Sequence, residues 1–69
     1  MNKILQDLGN NIRAERNRRN LSQMGLADLI GVSVPHISKI ESGHSDIKFT
    51  TLIAILKALD IPFEKLYEL

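Results

Sequence analysis

The stretch SQMGLADLIGVSVPHISKIESG, residues 22–43, constrains the fold of this chain more than any other part of the sequence. Its apolar residues recur at helical spacing in two runs, which are Leu26, Leu29 and Ile30, and then Ile37 and Ile40. Between the runs, Gly31 can take the left-handed conformation that ends a helix, and Ser33 can cap the helix that follows. The sequence therefore predicts two short helices joined by a tight turn.

Two helices that meet through a short turn containing glycine are typical of a helix-turn-helix unit, here over residues 22–42. The second helix of such a unit can enter the major groove of duplex DNA. Its outward face is expected to present six candidates for base contact, namely Ser33, Val34, Pro35, His36, Ser38 and Lys39. Lysine can donate to guanine, serine can donate or accept, and valine can touch the thymine methyl group, whereas proline offers only shape. A surface histidine with no role is an equally good interpretation of His36.

The remaining sequence predicts three more helices, which gives an all-α fold of five helices in a single domain over residues 1–69. The additional helices are expected over 3–19, 49–59 and about 62–68. Gly9 lies inside the first of them, where it weakens the helix and suggests that another element approaches closely. Asn20 can end that helix in the left-handed conformation. With 43% hydrophobic residues, so short a chain has a sufficient but not a generous core.

The predicted fourth helix, over 49–59, is apolar on nearly every side. A helix of this kind should be buried on every side, and four other short helices cannot easily cover it. We therefore expect part of it, with the apolar C-terminal end, to face a second copy of the chain in a symmetric homodimer. The expected interface residues are Ile53, Leu56, Ile61, Phe63, Tyr67 and Leu69.

Positive charge is concentrated just before the two-helix stretch, although the net charge of the chain is only +1. The arginines at positions 13, 16, 18 and 19 lie there, and on their own they could also form a solvated helix face. Next to a helix-turn-helix unit, contact with DNA phosphates is the favoured interpretation. The residues expected to contact phosphate are Arg13, Arg18, Arg19, Ser22, Gln23, His44, Ser45 and Lys48.

The sequence does not favour several other classes of site. There is no cysteine, and His36 and His44 lie on different elements without a nearby carboxylate pattern, so we expect no metal and no cofactor. An enzyme is poorly supported, because neither a nucleophile elbow nor a phosphate-binding glycine loop is present. No apolar run reaches the length of a membrane span and no signal peptide precedes the polar start, so we expect a cytoplasmic protein that contacts no membrane.

The segment from Leu8 to Tyr67 resembles the DNA-binding domain of the phage repressor and Cro superfamily, also called the Xre family. Three parts carry the resemblance, in this order: LGNNIRAERNRRNLSQ, LADLIGVSVPHISKIESG and TLIAILKALDIPFEKLY. Their order and spacing together are specific, whereas each part alone is not. The resemblance implies a lambda-repressor-like domain of five helices that binds duplex DNA as a dimer, with half-sites about 34 Å apart and the third helix in the major groove.

Particular residues match functional positions of that family. The glutamine that clamps a phosphate falls on Gln23, and the structural ion pair between the first helix and the end of the third falls on Arg16 and Glu41. The resemblance is to small stand-alone regulators, including phage-type repressors and the controllers of restriction–modification systems, for which no small-molecule effector is expected. An alternative is an antitoxin-like module whose main partner is another protein, with DNA binding secondary.

Overall fold

The computed structural model describes residues 2–62 and 64–65, and these form four α-helices without any strand. The helices are α1 (Lys3–Arg18), α2 (Gln23–Ile30), α3 (Val34–Glu41) and α4 (Phe49–Leu59). The predicted all-α fold is confirmed. The predicted fifth helix lies mostly outside the described residues. Within it, Glu64 and Lys65 form a single 3₁₀ turn, in which the Lys65 amide donates to the Pro62 carbonyl at 3.0 Å.

Serine side chains begin the two helices of the helix-turn-helix unit, as the sequence predicts. Ser22 Oγ accepts a hydrogen bond from the Gly25 amide at 2.9 Å, and Ser33 Oγ accepts one from the His36 amide at 3.3 Å. Each bond satisfies one of the first-turn amides that have no partner inside the helix. Pro35 lies in the first turn of α3, where its missing N–H costs nothing.

Each of the four helices is followed by a residue in the left-handed conformation. These residues are Asn20, Gly31, Gly43 and Asp60, with φ between 55° and 79°. After α3 the His44 amide donates to the Lys39 carbonyl and the Gly43 amide to the Ile40 carbonyl, which is the Schellman arrangement. The predicted endings at Asn20 and Gly31 are therefore confirmed, and local signals set the chain reversals on both sides of α2.

The core forms where α3 packs against α1 and α2, and where α2 packs against α4. Its fully buried aliphatic side chains include Leu26, Ile37, Ile55 and Leu59. Gly9 allows α1 to approach the end of α3, because a Cβ atom at that position would lie 2.6 Å from the Glu41 carbonyl oxygen. This confirms the close approach that the glycine predicted.

Apolar residues of α2 and α4 remain exposed at the edges of the buried faces. Leu29 shares the helical spacing of Leu26 and Ile30, but its side chain is 62% exposed, and Leu26, Ala27 and the half-buried Ile30 face the core. Helix α4 is not covered on every side within one chain, as expected, because Phe49 at its start is 65% exposed. Helical spacing fixes a stripe of residues and not its width, so a short helix can carry an apolar residue just outside the buried sector.

None of the helices in the described part of the chain combines the length and the apolar character that a membrane crossing requires.

Candidate nucleic-acid interface

A buried ion pair joins the end of α1 to the end of α3. Arg16 Nε donates to Glu41 Oε2 at 2.7 Å and Arg16 Nη2 donates to Glu41 Oε1 at 3.0 Å, so that the pair is bidentate. Arg16 Nη1 also donates to the Leu21 carbonyl at 2.7 Å, which ties the loop before α2 to the same group. The hydrogen bond with Glu41 raises the pKa of Arg16, so this guanidinium stays charged.

Two polar side chains converge on the same carboxylate from its solvent side. Gln23 Nε2 donates to Glu41 Oε1 at 3.1 Å, and Arg13 Nε lies 4.0 Å from that oxygen. Arg13 Nη2 donates to the Glu41 carbonyl and to Asn10 Oδ1, both at 3.4 Å. The Glu41 side chain is only 2% exposed, whereas that of Arg13 is 49% exposed. The predicted ion pair and two predicted phosphate contacts therefore form one cluster.

An open cleft of about 230 Å³ lies over this cluster, between the ends of α1 and α3 and the start of α2. It is lined by Arg13, Arg16, Gln23, Ser38, Glu41 and Ser42. Two arginines against one carboxylate leave a surplus of one positive charge, and amide and hydroxyl groups line the rest. Such a cleft can accept an anion with several hydrogen-bond acceptors, such as a phosphodiester.

Ser42 was not among the predicted site residues. It lies four positions after Ser38 and therefore on the same face of α3. Ser42 Oγ lies 3.1 Å from the Lys39 carbonyl, to which it can donate, and 2.8 Å from His44 Nδ1, with which it shares a second hydrogen bond. The four-residue spacing from Ser38 was the signal that could have found Ser42.

The predicted base-reading residues divide according to burial. Pro35, Ser38 and Lys39 are exposed on the outward face of α3, and His36 is half-buried. Val34 is half-buried and packs against the core, whereas Ser33 is exposed but uses its Oγ to cap α3. Ile37 and Ile40, on the opposite face, are buried as predicted.

The other predicted phosphate contacts do not lie in the cleft. Arg18 and Arg19 both pair with Glu15 Oε1, at 3.2 and 2.6 Å. Hydrogen bonding from Arg19 is the main cause that lowers the pKa of Glu15, and the charge of Arg18 adds to it. Ser22 is exposed and caps α2, Ser45 is half-buried in the loop after α3, and Lys48 is exposed immediately before α4.

A second open groove, of about 630 Å³, follows the end of α4. It is lined by Ile53, Leu56, Lys57, Asp60, Ile61 and Pro62. Three of the predicted dimer residues therefore lie together, although Leu56 is only 4% exposed and can contribute no more than the floor. The predicted dimer residues Phe63, Tyr67 and Leu69 lie outside the described residues.

Among residues 2–62 and 64–65, no group of three or more His, Cys, Asp or Glu side chains could hold a metal ion.

The model of a protein family described as helix-turn-helix matches residues 12–66, which is more than half of the chain. The chain belongs to this helix-turn-helix family. The matched region includes Arg13, Gln23, Glu41 and the whole of α3, so the cleft and the outward face of α3 fall within the family domain. The family is one of DNA-binding regulators and not of enzymes, and the family predicted from the sequence is confirmed.

Individual relatives in the helix-turn-helix family are controller proteins. Control protein C.SmaI from Serratia marcescens is 36% identical over 63 residues, which are 91% of this chain and 75% of that protein. The crystal structure of the restriction-modification controller protein C.AhdI from Aeromonas hydrophila has a TM-score of 0.85 at 29% identity, and the match covers 90% of this chain and 94% of that one. The restriction-modification controller protein C.Esp1396I shares the fold, with a TM-score of 0.88 at 22% identity over 99% of this chain and 87% of that one.

Proposed function

We propose that this chain is a sequence-specific regulator of transcription that binds duplex DNA as a homodimer, with α3 in the major groove. The observation that carries the proposal is the position of the cleft. The exposed residues Ser38 and Lys39 of α3 lie beside a positively charged cleft that Arg13 and Gln23 line. Groups for reading bases and groups for holding the DNA backbone thus occupy one surface.

The DNA backbone would be held chiefly at this cleft. Arg13 and Gln23 project N–H groups into it, and Gln23 is also the first residue of α2, where free amides and the helix dipole attract anions. His44, Ser45 and Lys48 follow α3 in the chain and are further candidates for phosphate contact, and His44 is hydrogen-bonded to Ser42 of the cleft lining. Arg18 and Arg19 would bind phosphate only by leaving or sharing Glu15, so they are weaker candidates than Arg13.

Base recognition would fall to the exposed part of α3. Lys39 can donate to guanine O6 or N7, and Ser38 can donate or accept. Pro35 and the partly covered Val34 offer apolar surface, and His36 and Ser33 lie at the start of the helix. Because only a few polar groups face outward, the shape and deformability of the DNA would add to the specificity.

The homodimer would form at the groove along the end of α4. Ile53, Ile61 and Pro62 give this groove apolar walls, whereas Lys57 and Asp60 provide opposite charges at its edge. A two-fold axis there would pair the Lys57 of each copy with the Asp60 of the other, as isologous interfaces allow. Two copies of α3 would then read half-sites about one helical turn apart.

The controller proteins among the relatives support the type of regulator proposed. Regulation by a protein of this type would depend on its own concentration and on cooperative occupancy of its sites, and the proposal includes no small-molecule effector. A regulator that binds DNA must be in the same compartment as the DNA. The cytoplasmic location expected from the sequence is therefore part of the proposal.

The experiment that tests the proposal is selection of bound duplexes from a random DNA pool, followed by sequencing. The expected result is a two-fold symmetric motif with half-sites about one helical turn apart. No enrichment, together with binding that disappears uniformly as the salt concentration rises, would mean non-specific affinity alone and would contradict the proposal.

A further inference from the structure

Glu41 is a carboxylate in the wall of a cleft that is proposed to bind phosphate, and a bare carboxylate there would repel the ligand. The structure shows why it does not. Both of its oxygens accept hydrogen bonds from Arg16, and its side chain is 2% exposed. The negative charge of Glu41 is therefore compensated by Arg16 inside the protein. The side-chain group that Glu41 holds by a hydrogen bond on the cleft side is available to a ligand.

That group is the side-chain amide of Gln23. A glutamine amide has two N–H donors, and Gln23 uses one of them on Glu41 Oε1 at 3.1 Å. The Glu41 carboxylate cannot rotate with the Gln23 side chain, because two hydrogen bonds from Arg16 fix its orientation. The Gln23 amide is thus held in one orientation, and its second N–H remains for an acceptor in the cleft that it lines.

We infer that Glu41 is a positioning residue for DNA binding, which presents the Gln23 amide to a backbone phosphate before the DNA arrives. The inference rests on the proposed function and goes beyond the structural role of the ion pair with Arg16. Arg13 is held mainly through the backbone carbonyl of Glu41, which a change of the Glu41 side chain leaves in place. The side chain of Glu41 therefore positions Gln23.

The expected effect follows from the cost of ordering a long side chain on binding. If the Gln23 side chain were free to rotate in the unbound protein, it would lose this freedom on binding DNA. That loss of entropy would weaken the affinity about 2- to 12-fold. Glu41→Gln keeps the shape of residue 41, but it replaces one acceptor oxygen by an NH₂ group. One of the donors facing the carboxylate then loses its partner, and Gln23 is held by a weaker bond or by none.

The test is a double-mutant cycle measured as Kd for an enriched duplex at one fixed salt concentration. Glu41→Gln is expected to weaken binding about 2- to 12-fold in the wild-type background and to change it little in a Gln23→Ala background. Equal losses in both backgrounds would mean a purely structural role and would overturn the inference. An Asn17→Ala background is the matched control, because Asn17 is exposed on α1 and should leave the effect of Glu41→Gln unchanged.

A second measurement applies to the wild-type chain and holds even if Glu41→Gln does not fold. Nuclear magnetic resonance of the free protein is expected to show Gln23 in a single rotamer, with one Nε2 proton shifted by its hydrogen bond, whereas Gln6 shows averaged signals. Averaging of Gln23 like that of Gln6 would overturn the positioning role. If the wild-type chain enriches no duplex from the random pool, the proposed function and this inference both fail. That outcome is distinct from equal losses in the double-mutant cycle, which would overturn the positioning role alone.

Discussion

Arg16 and Glu41 are 25 positions apart in the chain, and two hydrogen bonds of 2.7 and 3.0 Å join them across the packed ends of α1 and α3. The pair is buried, and it joins α1 to the end of α3. Because Glu41 also accepts from Gln23 on the proposed DNA surface, the scaffold and the binding site share one side chain. Changes at this pair are therefore expected to act on stability first.

Arg16→Met should destabilise the domain strongly, because it leaves Glu41 buried without its counter-charge. Removing one partner of a buried pair costs about 3–5 kcal/mol, a large part of the total stability of a domain of this size. Urea unfolding followed by circular dichroism measures the loss. Arg18→Met is the matched control, since that side chain is 70% exposed and should change the free energy of unfolding by less than about 0.5 kcal/mol. Equal midpoints for both variants would contradict the structural role of Arg16.

Gly9→Ala should destabilise the fold by about 1–3 kcal/mol, because the new Cβ would meet backbone oxygens at the end of α3, including the Glu41 carbonyl at 2.6 Å. Those atoms cannot move aside without separating α1 from α3. Gly25→Ala is the comparison, since the nearest atom there is Leu21 Cδ1, the end of a flexible side chain at 2.8 Å. Alanine also favours the helix by about 1 kcal/mol, so Gly25→Ala should be close to neutral. Thermal unfolding of both variants measures the difference in stability. A larger loss of stability in Gly25→Ala than in Gly9→Ala would refute the close contact at Gly9.

The Glu15 cluster predicts a stability difference that depends on pH. The hydrogen bond from Arg19 and the charge of Arg18 lower the pKa of Glu15 in the folded chain below its usual value of 4.5. The stabilisation is therefore fully present above that value and is lost as the pH falls through the lower pKa of the folded state. Wild type should melt at a higher temperature than Glu15→Gln at pH 6, and the gap should close below about pH 4.5. A gap that stays constant down to pH 3 would rule out the ionised pair as its cause.

Lys39→Ala should reduce specific DNA binding by about 1–3 kcal/mol if Lys39 reads a base, and should leave non-specific binding almost unchanged. Competition between the enriched duplex and random DNA measures the two affinities separately. Lys3→Ala is the matched control, because Lys3 is exposed on α1 and pairs with Asp7 at 3.0 Å. An equal loss on every sequence would assign Lys39 to the phosphate backbone instead.

Ile53→Lys should weaken the homodimer at least about tenfold, since it places a charge against the apolar walls of the groove at the end of α4. Sedimentation equilibrium gives the dimerisation constant. Ile4→Lys makes the same change on α1, where the side chain is 70% exposed, and should leave the association unaffected. A homodimer that tolerates lysine at position 53 would place the interface elsewhere.

Local features of the fold could be predicted from the sequence. The caps at Ser22 and Ser33 and the left-handed endings at Asn20 and Gly31 each depend on residues within five positions of one another, and all four occur. The pairing of Arg18 and Arg19 with Glu15 has the same local spacing and could have been read from it. Their position just before the helix-turn-helix unit favours phosphate contact for both arginines instead.

Contacts between distant segments were harder to predict. The hydrogen bond from Gln23 to Glu41 spans 18 positions, and no spacing rule connects the start of one helix with the end of another. Helical periodicity also does not give the width of a buried face. Leu29 is exposed although its spacing suits the core, and Leu56, which the sequence predicts at a dimer interface, is buried within a single chain. Packing against the neighbouring helices decides both.

The two faces of α3 have different freedom to change in evolution. Ile37, Ile40 and Glu41 are bound into the core, so few substitutions at them are compatible with folding. Ser38 and Lys39 point away from it, and their replacement costs the scaffold little. Under the proposed function, a lineage of such proteins can therefore acquire a new operator by exchanging Lys39, while Arg13 and Gln23 continue to hold the backbone of the DNA.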